Sequence, residues 1–136
     1  MKRTVRSEVG EFTIRENGLV VARTFPNAII TLQAAKDYHQ MIAYLTHSQP
    51  HATVIDISGI VNIEDDAMDF LITQSSDWGK TIALGLIVNS FMAQRIAEYF
   101  LSENKPTYPV KVFKNIFDAQ LWAKIEFLRS ITRKAS

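Results

Sequence analysis

The stretch from Thr53 to Met68, Thr-Val-Ile-Asp-Ile-Ser-Gly-Ile-Val-Asn-Ile-Glu-Asp-Asp-Ala-Met, constrains the fold more than any other part of the chain. Its short β-branched run, Val54 to Ile57, reads as a strand covered on both faces. Gly59 marks a turn or a close backbone approach. Three consecutive acids, Glu64, Asp65 and Asp66, follow, and an apolar helical stripe starts behind them. Acids at that place suit a helix N-terminus, where backbone N–H groups are unpaired and the dipole end is positive. The stretch is therefore a buried strand, a short loop, an acidic tip and a helix.

A length of 136 residues predicts one domain, with a core over about residues 12 to 128 and short polar, basic ends. Hydrophobic residues at 47% and charged residues at 21% give a soluble globular balance. The net charge of +1 argues against general attraction to nucleic acid or membrane. With no cysteine there is no disulfide framework, no thiol chemistry and no Cys-based metal site, and a reducing cytoplasm fits. No apolar segment follows the basic start, so no signal peptide is expected. The longest apolar run, Ile82 to Val88, is too short to span a bilayer, so the chain is not expected to be an integral membrane protein.

Phe12 to Glu16 alternates apolar and polar residues as a half-buried strand does, after a loose start over residues 1 to 10. Asn17-Gly18 is a hairpin signal, and Leu19 to Arg23 is the return strand, ended by Pro26. Thr31 can cap a helix whose Ala34, Tyr38, Met41, Ile42 and Leu45 share a face. Pro50 breaks it, and the strand Thr53–Ile57 follows. A second helix is predicted from about Asp65 to Trp78, with Gly79 at its C-terminal left-handed position. Thr81 to Val88 reads as a central strand. Ser90 can cap a third helix with the stripe Ala93, Ile96, Ala97, Phe100 and Leu101, ended by Asn104-Lys105-Pro106. Pro109 to Phe113 is a short strand. Asn115 with Asp118 resembles a capping arrangement for a last helix with Phe117, Leu121, Ile125 and Leu128 as its core stripe. The order β-β-α-β-α-β-α-β-α predicts an α/β fold: a mixed sheet of about five strands, with an N-terminal antiparallel hairpin and right-handed parallel crossovers.

No constellation in the chain carries catalysis on its own. Glu64, Asp65, Asp66 and Asp69 would offer oxygens to a divalent cation, but no calcium-loop glycine or histidine accompanies them, so capping is the simpler reading. Asp56, inside an apolar strand, reads as a strand-end residue bonded to nearby backbone. His39, His47 and His51 cluster around the first helix and its exit, and read as surface residues rather than metal ligands. Ser58, Ser75, Ser76 and Ser90 lack the glycine pattern of a nucleophile elbow, and no glycine-rich phosphate loop is present. Lys2, Arg3, Arg6 and Arg129, Arg133, Lys134 form two basic ends that read as solvated tails, not a nucleic-acid site. Tyr38, Phe70, Trp78, Phe91, Phe100 and Trp122 read as core; a lipid-accepting cavity between helices is the alternative.

The joint order of elements and residues resembles the STAS domain, the fold of bacterial anti-sigma-factor antagonists. Those proteins carry a buried strand ending Asp-Leu-Ser-Gly, a short loop, and Asp-Ser-Ser-Gly at the start of a helix. Here these stand as Asp56-Ile57-Ser58-Gly59 and Glu64-Asp65-Asp66-Ala67, with the same intervening length. The ending Tyr99-Phe100-Leu101, Asn104-Lys105-Pro106, Val112-Phe113 and Ala119-Gln120-Leu121-Trp122 is similar to that of uncharacterised bacterial STAS/Sec14-like proteins. In the antagonists the first serine of Asp-Ser-Ser-Gly is phosphorylated by the partner kinase. The position equivalent to that phosphosite is Asp65, which cannot be phosphorylated as a serine and carries less charge than phosphoserine. The resemblance implies a non-enzymatic regulatory domain with a protein partner on Glu64, Asp65 and Asp66, no cofactor and no metal. The alternative it implies is a carrier or sensor of a lipid or other small apolar ligand; an enzyme ranks third. A homo-oligomer is compatible with either.

Overall fold

The computed structural model describes residues 3–15, 18–74, 80–103 and 107–135. Asn17 of the hairpin turn, Ser75 and Ser76, Trp78 and Gly79 at the expected helix end, the Asn104-Lys105-Pro106 break and Lys2 lie outside the described residues, as does the side chain of Lys134.

Among the described residues, six strands form the main sheet: β1 (Arg3–Arg6), β2 (Gly10–Arg15), β3 (Leu19–Thr24), β5 (His51–Asp56), β7 (Thr81–Ile87) and β8 (Val110–Phe113), in the order β1-β2-β3-β5-β7-β8. The first three are antiparallel, with Phe12 opposite Ala22. From β3 onward the pairs are parallel, with Val21 beside Val54, Val54 beside Gly85 and Gly85 beside Lys111. The sheet is mixed, the hairpin is present, and β5 and β7 are interior strands, as the sequence predicts. The described half of its turn, Gly18, has φ 67°, the left-handed backbone such a turn needs.

Two features were not legible. The segment read as a loose start supplies β1. Its Val5 rests on the core, Thr4 and Thr13 share a hydroxyl hydrogen bond of 2.9 Å, and Arg6 lies 3.5 Å from Glu11. Exposed arginines suit an edge strand, because charge there discourages pairing with another chain. The second feature is a separate parallel ribbon of β4 (Ala28–Ile30) and β6 (Ile60–Ile63).

Among the described residues, four helices cover the sheet: α1 (Leu32–Thr46), α2 (Asp65–Gln74), α3 (Phe91–Glu103) and α4 (Ile116–Ala135). The expected caps form. Thr31 Oγ1 accepts from Ala34 N at 3.1 Å, Ser90 Oγ from Ala93 N at 3.1 Å, and Asn115 Oδ1 from Asp118 N at 2.9 Å. On one sheet face Phe12, Val20, Ile55, Leu84 and Leu86 pack with α1, α2 and α3. On the other, Leu19, Ala52, Val54, Ala83 and Ile87 pack with Ala119 and Ala123 of α4.

The orientation of α4 departs from expectation. Phe117, Leu121, Ile125 and Leu128 are not its core stripe; all four are exposed. Ala119 and Ala123, both fully buried, face the sheet instead. Two further alanines, Ala52 and Ala83, lie beneath them, so small residues meet small residues and the helix sits close to the strands. Trp122 is half-buried, its ring 5.5 Å from that of Phe113. Phe91 and Leu101, also assigned to the core, are exposed on α3. The expected basic tail after Leu128 is largely the last turns of α4. Among the described residues, no helix is long and apolar enough to cross a membrane.

Candidate functional site

The C-terminal ends of parallel strands are where open α/β sheets usually bind ligands. Here that rim is stitched to backbone. Asp56 Oδ1 accepts from Ser58 N at 2.9 Å, and Ser58 Oγ accepts from Asn89 N at 2.9 Å. Asn89 Nδ2 donates to Lys114 O at 2.7 Å, and Lys114 Nζ donates to Val88 O at 3.2 Å. Asp56 thus bonds nearby backbone, as its place in the sequence implies. Asn89 and Lys114 were missed, because nothing in the sequence brings β7 and β8 ends to the β5 loop before the sheet order is known.

Gly59 sits at a close backbone approach. A Cβ there would meet the carbonyl oxygen of Phe25 and, at 2.7 Å, that of Thr24. Its own carbonyl accepts from Ala28 N at 3.0 Å, which starts the β4–β6 ribbon. The ribbon ends where Glu64 N donates to Ile30 O at 2.9 Å. Glu64 O then accepts from Met68 N at 3.0 Å, so Glu64 opens α2, and Asp65 and Asp66 occupy its first turn. All three acids are exposed, while Ala67 and Met68 behind them are buried. The three sequence-predicted residues, adjacent in the chain, stand exposed at the corner where the ribbon meets α2. Ile29 and Val61 are exposed on the ribbon that leads to it, a pair the sequence did not single out. Behind the corner, Met68 of α2 joins Arg95, Ile96, Glu98, Tyr99 and Ser102 of α3 in an open groove of about 440 Å³.

The histidines occupy separate settings. His39 faces the Phe70 ring at 6.4 Å, and His47 ends α1 with its Nε2 3.2 Å from Arg3. His51 is not a surface residue: it is buried at the start of β5. Its Nδ1 is 2.8 Å from Gln49 O and its Nε2 3.0 Å from Thr81 Oγ1, so Nδ1–H donates and Nε2 accepts in the neutral ring. Burial holds its pKa below the usual histidine value, partly offset by the Gln49 carbonyl. The unfolded chain, near 6.5, then takes up the proton first, so acid favours unfolding. Stability is expected to be flat above about pH 7 and to fall below about pH 6.5, by at most about 1.4 kcal/mol per pH unit from this residue. Urea melts between pH 5 and 8 check this; His51→Gln, less stable at pH 8, is expected to lose that slope. Among the described residues, no three His, Asp or Glu side chains gather where a metal ion would be held.

Between the sheet and α1, α2 and α3 lies an apolar cavity of about 60 Å³, lined by residues that include Ile55, Ile57, Leu84, Leu86, Ile96 and Phe100.

Residues 12–126 match the model of a family described as a domain of unknown function, DUF7793. The chain belongs to the DUF7793 family. No curated protein matches it. The DUF7793 chain is similar to the crystal structure of an uncharacterized protein of the DUF3478 family, with a SpoIIAA-like fold, from Shewanella loihica PV-4. The likeness has a TM-score of 0.53 at 13% identity and covers 90% of this chain and 92% of that one. It shows the fold alone: this DUF7793 domain has a SpoIIAA-like, STAS-like fold.

Proposed function

We propose that this chain is a non-enzymatic regulatory domain of STAS type that binds a protein partner through Glu64, Asp65 and Asp66. The observation that carries the reading is the corner itself. Three exposed acids stand at the start of α2, beside exposed Ile29 and Val61, on a ribbon fixed by the Glu64–Ile30 hydrogen bond. Exposed acids at a helix start gain about 0.3–1 kcal/mol each from the dipole. That accounts for one of them; three together repel one another, and a basic partner surface gives the excess a use. Asp65 stands where the resembling antagonists keep their phosphorylated serine, so its charge is permanent rather than switched.

Asp65→Ser combined with Asp66→Ser is expected to keep a cooperative urea melt and to weaken capture of native partners, most at low salt. Pull-downs from the source lysate across a salt series read this. The same partners at the same affinity and salt dependence would reduce the corner to a capping feature.

The apolar cavity favours a second reading, a carrier of a small apolar ligand. Ligand pockets usually need about 300–1,000 Å³. A cavity of about 60 Å³ would have to open by parting α2 and α3 from the sheet. Native mass spectrometry of the purified protein separates the readings, since a co-purifying lipid adduct supports the carrier.

A further inference from the structure

The solvent side of α4 is more apolar than a free helix face has reason to be. Phe117 is 82% exposed and Leu121 61%, with Ile125, Leu128 and Ile131 at 40–48%. At 100° per residue these five fall within one third of the helix circumference, opposite Ala119 and Ala123. Contiguous apolar patches above a few hundred Å² are uncommon on monomers and mark contact surfaces.

We propose that this face binds a second copy of the chain, α4 against α4, antiparallel across a twofold axis near residues 124 and 125. The pattern is self-complementary about that point. Leu121 falls opposite Leu128 of the other copy, and Phe117 opposite Ile131. Asp118 and Arg129 lie along the same edge of the stripe, one at each end. An antiparallel pair brings like edges together, so each Asp118 meets the other copy's Arg129, twice over, as an isologous interface requires. Both side chains are exposed and keep local bonds that leave room for this: Asp118 Oδ2 accepts from Asn115 at 2.9 Å, and Arg129 reaches Glu126 at 3.3 Å. Lys124 falls within the stripe near the axis; its apolar stem can cover the seam while its charge turns outward. The face lies across the sheet from α2, so the acidic corner stays free in the dimer.

Analytical ultracentrifugation of the full chain from about 1 to 500 µM tests this. The expected mass rises toward twice the 15.4 kDa chain mass. Leu121→Asp with Leu128→Asp is expected to stay at the chain mass throughout and, at low micromolar concentration where the wild type is also monomeric, to keep the wild-type urea midpoint, since both sites are exposed in one copy. Arg129→Glu and Asp118→Arg are each expected to weaken association roughly tenfold, and their combination to restore it to within about threefold. Lys124→Leu is expected to tighten it. A wild-type chain that stays monomeric overturns the proposal, as does one that remains monomeric but sediments with anionic lipid vesicles, which puts a membrane on this face. A dimer that survives the Leu121 and Leu128 substitutions overturns it too, and failure of the double charge reversal overturns the antiparallel arrangement.

Discussion

Gly59→Ala is expected to lower the urea midpoint sharply, by a stability loss of about 3 kcal/mol or more. The added methyl would press on the carbonyl oxygens of Phe25 and Thr24, the second at 2.7 Å. Both are backbone atoms, so no side-chain rotation relieves the contact. Gly59 is not among the positive-φ residues, so the cost comes from the close approach and not from a backbone that only glycine adopts. The consequence reaches the functional corner. Moving residue 59 breaks the Gly59–Ala28 hydrogen bond, loosens the β4–β6 ribbon, and releases the Glu64–Ile30 bond that seats the start of α2. Gly85→Ala is the control: its Cβ would meet the Phe113 ring at 3.4 Å, a side chain able to shift, and a change within about 1 kcal/mol is expected. A Gly59→Ala loss below about 1 kcal/mol would mean that the ribbon yields and that the acidic corner is not rigidly held.

What the sequence disclosed depended on how local each signal is. The β-branched runs of β5 and β7 need only their own side chains to declare two covered faces, and both are interior strands. Thr31, Ser90 and Asn115 announce helix starts within four residues, and all three cap as expected. The acids of α2 are legible for the same reason. The β4–β6 ribbon is not, because strands of three and four residues carry little signal of their own and pair with each other across about 30 positions of sequence. His51 looks like a surface residue until β7 supplies Thr81 to its Nε2. The hydrogen bonds of Asn89 and Lys114 likewise wait on the strand order. In α4 the signal was present but pointed the wrong way. Two apolar stripes run along one helix, and the sequence points to the larger side chains as core because large apolar residues usually are. The closeness of Ala52 and Ala83 in neighbouring strands decides otherwise, and that is a fact about two strands at once.

Exchanging size between the two faces of α4 is therefore expected to give opposite results to those of the large-stripe assignment. Ala123→Leu is expected to destabilise by about 3 kcal/mol. Ala123 is fully buried against the sheet face that carries Ala52, Val54, Ala83 and Ile87, where three more carbons find no space unless the helix lifts. Lifting α4 would also uncover Val54 and Ile87 and part Trp122 from Phe113, so the loss extends beyond one contact. Leu121→Ala, by contrast, is expected to cost less than about 1 kcal/mol, since the side chain is 61% exposed and leaves no cavity. Were Leu121 a core residue, the same change would cost about 2–5 kcal/mol. Urea melts at low micromolar concentration separate these outcomes, because dilution removes any contribution from association to the apparent stability. A tolerated Ala123→Leu together with a Leu121→Ala loss above about 2 kcal/mol would place α4 half a turn away from its position here, and would remove the exposed stripe on which the dimer is built.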